Sequence, residues 1–107
     1  MLRAKIHRAI VTDADINYEG SIAIDEKLME SSGILEFEQV QIYNIDNGNR
    51  FVTYTIKAPA GSGTISVNGA AARKVGIGDR IIIASYAVME EQEAKNIQPK
   101  LVYIKKD

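Results

Sequence analysis

Residues 40–58 read VQIYNIDNGNRFVTYTIKA, two β-rich runs separated by Asp46-Asn47-Gly48-Asn49. Val40, Ile42 and Tyr43 in the first run, and Phe51, Val52, Thr53, Tyr54, Thr55 and Ile56 in the second, are residue types that favour strands. Asn-Gly tolerates the positive φ of a tight turn, so 40–45 and 50–58 are expected to fold back as a hairpin. Outward from it the pattern repeats. Residues 2–11 are β-rich with mixed alternation, and Thr12-Asp13-Ala14-Asp15 is expected to break that strand. Residues 16–24 (INYEGSIAI) read as an extended run interrupted at Gly20-Ser21. Asp25 is a good N-cap for a short helix through Ser32, with Gly33 where a terminating glycine belongs. Beyond the hairpin, 59–63 is a loop, 64–67 a short strand and Ala70-Ala71-Ala72-Arg73 one helical turn. Gly76-Ile77-Gly78-Asp79 is a turn before 80–88, whose centre Ile81-Ile82-Ile83-Ala84 suits a strand buried on both faces. Residues 90–96 are expected as a helical turn and 101–105 as a last strand. Many short strands with little helix suggest a mainly β protein closed into a small barrel, one domain over 1–107.

The chain has 107 residues, 46% of them hydrophobic, enough for a core and too many for a disordered tail. So small a domain has little room for a deep pocket, and an enzyme of this length often completes its site between subunits. The formal net charge is -1, from 13 basic and 14 acidic residues. No basic run exists beyond Lys105-Lys106-Asp107, so nucleic-acid binding by phosphate neutralisation is disfavoured. No apolar stretch is long enough to span a bilayer, and the N-terminus lacks the apolar core of a secretory signal. The absence of cysteine removes disulfides and thiol chemistry, and a single histidine, His7, excludes the common zinc patterns. Asp13, Asp15 and Glu19 do not match a calcium loop and read as solvated carboxylates, so no metal site is expected. A cytoplasmic protein is the expectation.

Tyr18-Glu19-Gly20-Ser21 interrupts a strand pattern, and alone a Gly-Ser pair there marks a bulge or turn. Its company changes that reading. Lys5-Ile6-His7-Arg8, Tyr18-Glu19-Gly20-Ser21, Asn47-Gly48-Asn49-Arg50-Phe51, Thr53-Tyr54, Ser66-Val67-Asn68-Gly69-Ala70-Ala71-Ala72 and Gly78-Asp79-Arg80-Ile81-Ile82-Ile83 occur in order and nearly without gaps. Together they resemble the bacterial aspartate 1-decarboxylase family. The resemblance implies a six-stranded double-psi β-barrel with short helices, assembled as a homotetramer. It implies a covalently bound pyruvoyl group made from Ser21, after the precursor cuts itself between Gly20 and Ser21 into residues 1–20 and 21–107. It also implies conversion of L-aspartate to β-alanine and CO2 through a Schiff base, toward pantothenate and coenzyme A.

The chemistry can be followed residue by residue. Gly20 can take backbone conformations closed to other residues and leaves its carbonyl open to approach. The Ser21 hydroxyl can attack that carbonyl in an N-to-O acyl shift. By the resemblance, Thr53 steadies the oxyanion, Tyr54 returns a proton to carbon after CO2 departs, and Lys5 and Arg50 bind the substrate. Arg50 suits a carboxylate held by two parallel hydrogen bonds, and Lys5 acts as a compact point charge. Tyr18, Asn68, Gly69 and the backbone of Ala70 and Ala71 match positions that contact substrate or Ser21, and His7 one that hydrogen-bonds near the cleavage point. Against these roles stand ordinary ones: a turn at Asn68-Gly69, a structural His7, solvated charges at Lys5 and Arg50. Two rival readings of the whole chain are a non-catalytic double-psi barrel that binds a partner, and a pyruvoyl decarboxylase for another amino acid. Glutamate differs from aspartate by one methylene, a difference worth about 1–3 kcal/mol in a pocket.

Overall fold

The β-branched and aromatic runs become strands in the computed structural model, which describes residues 1–104. In chain order these are β1 (Leu2–Ile10), β2 (Asp13–Asp15), β3 (Ser21–Asp25), α1 (Glu26–Ser32), β4 (Gln39–Asn44), β5 (Arg50–Ala58) and β6 (Ile65–Asn68). A short 3-10 helix (Gly69–Lys74), β7 (Arg80–Tyr86), α2 (Glu91–Ala94) and β8 (Lys100–Tyr103) complete them. The Lys105 end of the expected last strand lies outside the described residues. The hairpin forms as predicted, β4 against β5 antiparallel with Tyr43 opposite Arg50. Gly48 turns with φ 77°, and Asn44 Oδ1 braces the turn by accepting the Asp46 N–H. Asp25 caps α1 by accepting the Lys27 N–H, and Gly33 ends it with its N–H donating to Met29 O.

The strands hydrogen-bond in the order β2-β6-β3-β5-β4-β7-β1-β8. Six of them, β6 to β1, form the body, and short β2 and β8 lie at the ends. The ends are one piece of chain. β1 lies near one end of the order and β2 at the other, separated in sequence only by Val11 and Thr12. At that joint the Thr12 N–H donates to Ile65 O and the Ile65 N–H donates to Thr12 Oγ1. The sheet thereby closes on itself and encloses Ile6, Ile22, Ile24, Ile42, Ile81 and Ile83, all fully buried. Each such side chain contributes about 1.5–3 kcal/mol by leaving water.

Three local expectations change. Residues 13–15 form a strand, because β2 pairs in parallel with β6 at the sheet edge while Asp13 and Asp15 keep their carboxylates exposed. Residues 16–20 turn instead of extending, with Asp15 Oδ1 accepting the Asn17 N–H. In β7, Ile81, Ile83 and Ala84 are buried, but Ile82 is only half-buried on the outer face. β1 carries a bulge between His7 and Ala9, where Arg8 takes φ 70°.

Glu38 pins three segments beside β4, accepting from the Leu35 N–H, Arg3 and the Ser85 hydroxyl. Burial pushes its carboxyl up, but these donors outweigh burial and hold it below the usual carboxylate range.

Candidate active site

Ser21 begins β3, between β6 and β5. On one side it pairs with Asn68. On the other, Ile22 pairs in parallel with Thr55; one step back along both strands brings Ser21 level with Tyr54, with Thr53 the next residue back on β5. Strand alternation puts Ser66 and Asn68 on one face of β6. There Ser66 Oγ donates to Asn68 Oδ1 at 3.0 Å, Asn68 Nδ2 donates to Ser21 Oγ at 3.1 Å, and Ser21 Oγ donates to Glu19 O at 3.1 Å. Ser21 is 1% exposed and Asn68 5% exposed, while Ser66, at the head of the series, is half-buried.

The backbone is held as firmly. Gly69 takes φ 74°, and a Cβ there would stand 2.6 Å from Gly20 Cα and 2.7 Å from Gly20 N. No side chain fits that gap, so Gly69 presses its backbone against the peptide preceding Ser21. Gly20 itself lies outside the left-handed region, and a Cβ on it would meet nothing within 4 Å. The steric demand for glycine therefore falls on Gly69, not on Gly20 as the sequence suggests. Ala70 and Ala71 follow in the 3-10 helix, Ala70 exposed and Ala71 half-buried. Tyr18 lines an open cleft of about 280 Å³ with Asp13, Asp15, Ala23, Ser66 and Asn68. A hollow of about 400 Å³ beside α1 holds Glu26, Glu30, Glu36 and Lys57 but none of these residues.

A second cluster lies on the outer face of the sheet. Register places Tyr103, His7, Ile82, Tyr43 and Arg50 in one line across β8, β1, β7, β4 and β5. Lys5 stands in the adjacent line with Leu101, Ala84, Gln41 and Val52. The Arg50 guanidinium stacks on the Tyr43 ring, 4.3 Å from its centroid. The Tyr43 hydroxyl meets that of Tyr86 at 2.8 Å; this bond and burial push the Tyr43 hydroxyl above its ordinary range. His7 packs edge-on against Tyr103 at 5.5 Å, its buried Nδ1 without a partner among the described residues. Burial, then Lys5 and Arg8, hold the imidazole below its ordinary pKa.

The structure thus brings Gly20, Ser21, Asn68 and Gly69 together, with Thr53 and Tyr54 on the neighbouring strand β5. Arg50 lies farther along β5, while Lys5 and His7 lie on β1, in the lines across the outer face. Ser66 and Tyr86 join these groups without having been singled out in the sequence. Ser66 stands at the head of the 66–72 motif, and its two-residue spacing to Asn68 is the signal that puts both on one strand face.

The family model described as aspartate decarboxylase matches residues 1–107. The chain belongs to the aspartate decarboxylase family. Among its relatives, the aspartate 1-decarboxylase of Marinomonas sp. (strain MWYL1) is 60% identical, over all of this chain and 85% of that protein. That of Saccharophagus degradans is 58% identical over the same shares, and that of Carboxydothermus hydrogenoformans 61% identical over 97% of this chain and 82% of its own length. The fold is similar to that of a rationally designed double-psi β-barrel, mkDPBB_sym_86, with TM-score 0.54 at 13% identity. That similarity covers 77% of this chain and 95% of the design. The double-psi barrel expected of the family is therefore the architecture present, with β2 and β8 added to its six strands. Among the described residues no helix is long and apolar enough to cross a membrane.

Proposed function

We propose that this chain is a pyruvoyl-dependent aspartate 1-decarboxylase, a single domain over 1–107 that cuts itself between Gly20 and Ser21. The observation that carries the reading is the buried Ser21 hydroxyl, which takes a hydrogen bond from Asn68 Nδ2 beside a peptide clamped by Gly69. Ser21 Oγ bonds to the Gly20 carbonyl carbon, the bond from that carbon to the Ser21 nitrogen breaks, and the hydroxyl proton ends on that nitrogen. Thr53, on the neighbouring strand β5, offers its hydroxyl to the oxyanion that forms on the way. Loss of the Ser21 Cα proton then expels the Gly20 carboxylate and leaves a dehydroalanine. Hydrolysis of that residue releases ammonia and leaves a pyruvoyl group heading the 21–107 chain.

The residues around Ser21 fit such a group: Asn68 presents an amide donor, and its neighbours on that face, Ser66 and Ala23, are small. A pyruvoyl ketone takes up an amine and draws off the electron pair that departing CO2 leaves behind. Everything else falls to side chains. Arg50, oriented by the Tyr43 ring, holds a carboxylate of L-aspartate with two parallel bonds, and Lys5 adds a point charge. The tighter cation grips the side-chain carboxylate, because over-stabilising the one that leaves would raise the barrier. Tyr54, level with Ser21, delivers a proton from its hydroxyl to the carbon that lost CO2. Tyr18, Gly69 and the backbone of Ala70 and Ala71 complete the contacts with substrate, and His7 hydrogen-bonds near the cleavage point.

Lys5 and His7 lie on the outer face of β1, not among the residues that hydrogen-bond Ser21, and that face also exposes Val52, Tyr86, Leu101 and Tyr103. Both facts support a homotetramer in which neighbouring copies cover that face and bring the cations to Ser21. The product, β-alanine, feeds pantothenate and coenzyme A synthesis in the cytoplasm. Intact mass measurement tests the reading directly. The mature protein yields fragments of 20 and 87 residues, the larger beginning with a ketone, whereas Ser21→Ala stays whole and inactive. A fully active protein that remains one unbroken chain overturns it.

A further inference from the structure

We infer that Ser66 is a positioning residue for self-cleavage, acting on Ser21 only through the Asn68 amide; this rests on the reading of Ser21 as the cleaving residue. An asparagine amide can present either its oxygen or its nitrogen, and its neighbours decide which. Two neighbours bear on Asn68. Ser66 Oγ donates to Oδ1 at 3.0 Å, and Nδ2 donates to Ser21 Oγ at 3.1 Å. The three polar side chains form a one-way series of donors, Ser66 to Asn68 to Ser21, ending on the Glu19 carbonyl.

Reversing the amide would reverse its effect. Oδ1 would then face Ser21 Oγ and accept its proton, and the Ser66 hydrogen would lose its acceptor. The direction matters because Oγ gains a bond to Gly20 carbon while its proton departs to the Ser21 nitrogen. A donor aimed at Oγ favours the charge that gathers there as the proton leaves, and an acceptor opposes it. Burial of Ser21 and Asn68 limits competition from water, and donors in series strengthen one another. Register keeps Ser66 in place independently of this task, since it pairs with Asp13 on β2 and Ala23 on β3. Its hydroxyl can therefore be removed without moving the strand.

The test follows cleavage of freshly purified full-length chain by intact mass, with melting temperature as a folding control. Ser66→Ala slows cleavage about fivefold to tenfold, the effect of one hydrogen bond of about 1 kcal/mol on a rate. Ser66→Thr, which keeps the hydroxyl, cleaves within about twofold of wild type, a rescue that lost packing would not give. Ser66→Ala combined with Asn68→Ala is no slower than Asn68→Ala alone, because Ser66 has no other route to Ser21. Wild-type speed in Ser66→Ala, failure of Ser66→Thr to rescue, or multiplied effects in the double variant each overturn the assignment. A wild-type chain that never cleaves removes the parent reading along with it, whereas wild type and Ser66→Ala cleaving equally removes this inference alone.

Discussion

The β6–β3 corner and the outer face of β4, β7 and β1 treat their polar groups in opposite ways. At the corner, Ser21 and Asn68 are buried and joined by hydrogen bonds, and the Gly69 backbone closes against Gly20 with no space to spare. On the outer face, Arg50 rests on Tyr43 in the open, His7 leaves Nδ1 unpaired among the described residues and Tyr103 is 60% exposed. The first region has what an intramolecular reaction needs within one chain. The second holds the groups proposed to bind substrate, on a face exposed in one chain. Cleavage and turnover should accordingly respond to different substitutions.

Gly69→Ala offers the severest trial of that division. The added Cβ would lie 2.6 Å from Gly20 Cα at φ 74°. Cleavage should fail over the time in which wild type finishes, as judged by intact mass, while a cooperative melt persists; normal cleavage would show that the corner tolerates displacement. Arg50→Ala comes next. Losing a charge-assisted grip should raise KM for aspartate about tenfold to hundredfold, with cleavage left within about twofold of wild type. A chain that fails to cleave would place Arg50 in the corner's work instead. Tyr86→Phe is gentler: without the hydroxyl partner the Tyr43 ring is less fixed, and KM should rise about twofold to threefold with kcat steady. Steady-state kinetics at several aspartate concentrations separates these terms.

Acid should weaken both regions together, and least of all. Arg80 beside Asp46 holds that carboxyl down at about 2, and the N–H groups of Gly63, Lys27 and Gly61 lower that of Asp25. Depressed folded pKa values mean that the unfolded chain binds more protons. This stabilisation is complete above the ordinary aspartate range and is lost as pH falls from about 4 toward 2. Thermal melts across that interval should shift downward, and Asp46→Asn should flatten the slope.

Local chemistry made much of the fold legible. Asn47-Gly48 announced the hairpin, and Asp25 with Gly33 bracketed α1, because each of these residues acts on its own few neighbours. Asp13–Asp15 was not legible, since its strand exists only through pairing with β6, more than fifty residues later. Neither was the positive φ of Arg8 or Phe37, which tertiary context imposes on residue types that do not favour it. At the site, motif order pointed to Ser21 and to residues that lie beside it in space. It could not show that the outer face stands apart from them, nor that Gly69 rather than Gly20 bears the steric demand. Those are properties of register and close approach, and neither is written in a single residue.

The joint at Val11 and Thr12 decides what a cut chain remains. Residues 1–20 carry β1 and β2, which grip opposite ends of the strand order and send Ala4, Ile6, Ala9 and Val11 inside. Severing the backbone after Gly20 cannot set that peptide free, because its departure would unravel the wall on both flanks at once. On the proposed cleavage the two products would stay threaded as a single body, the chemistry changed at one point and the architecture spared.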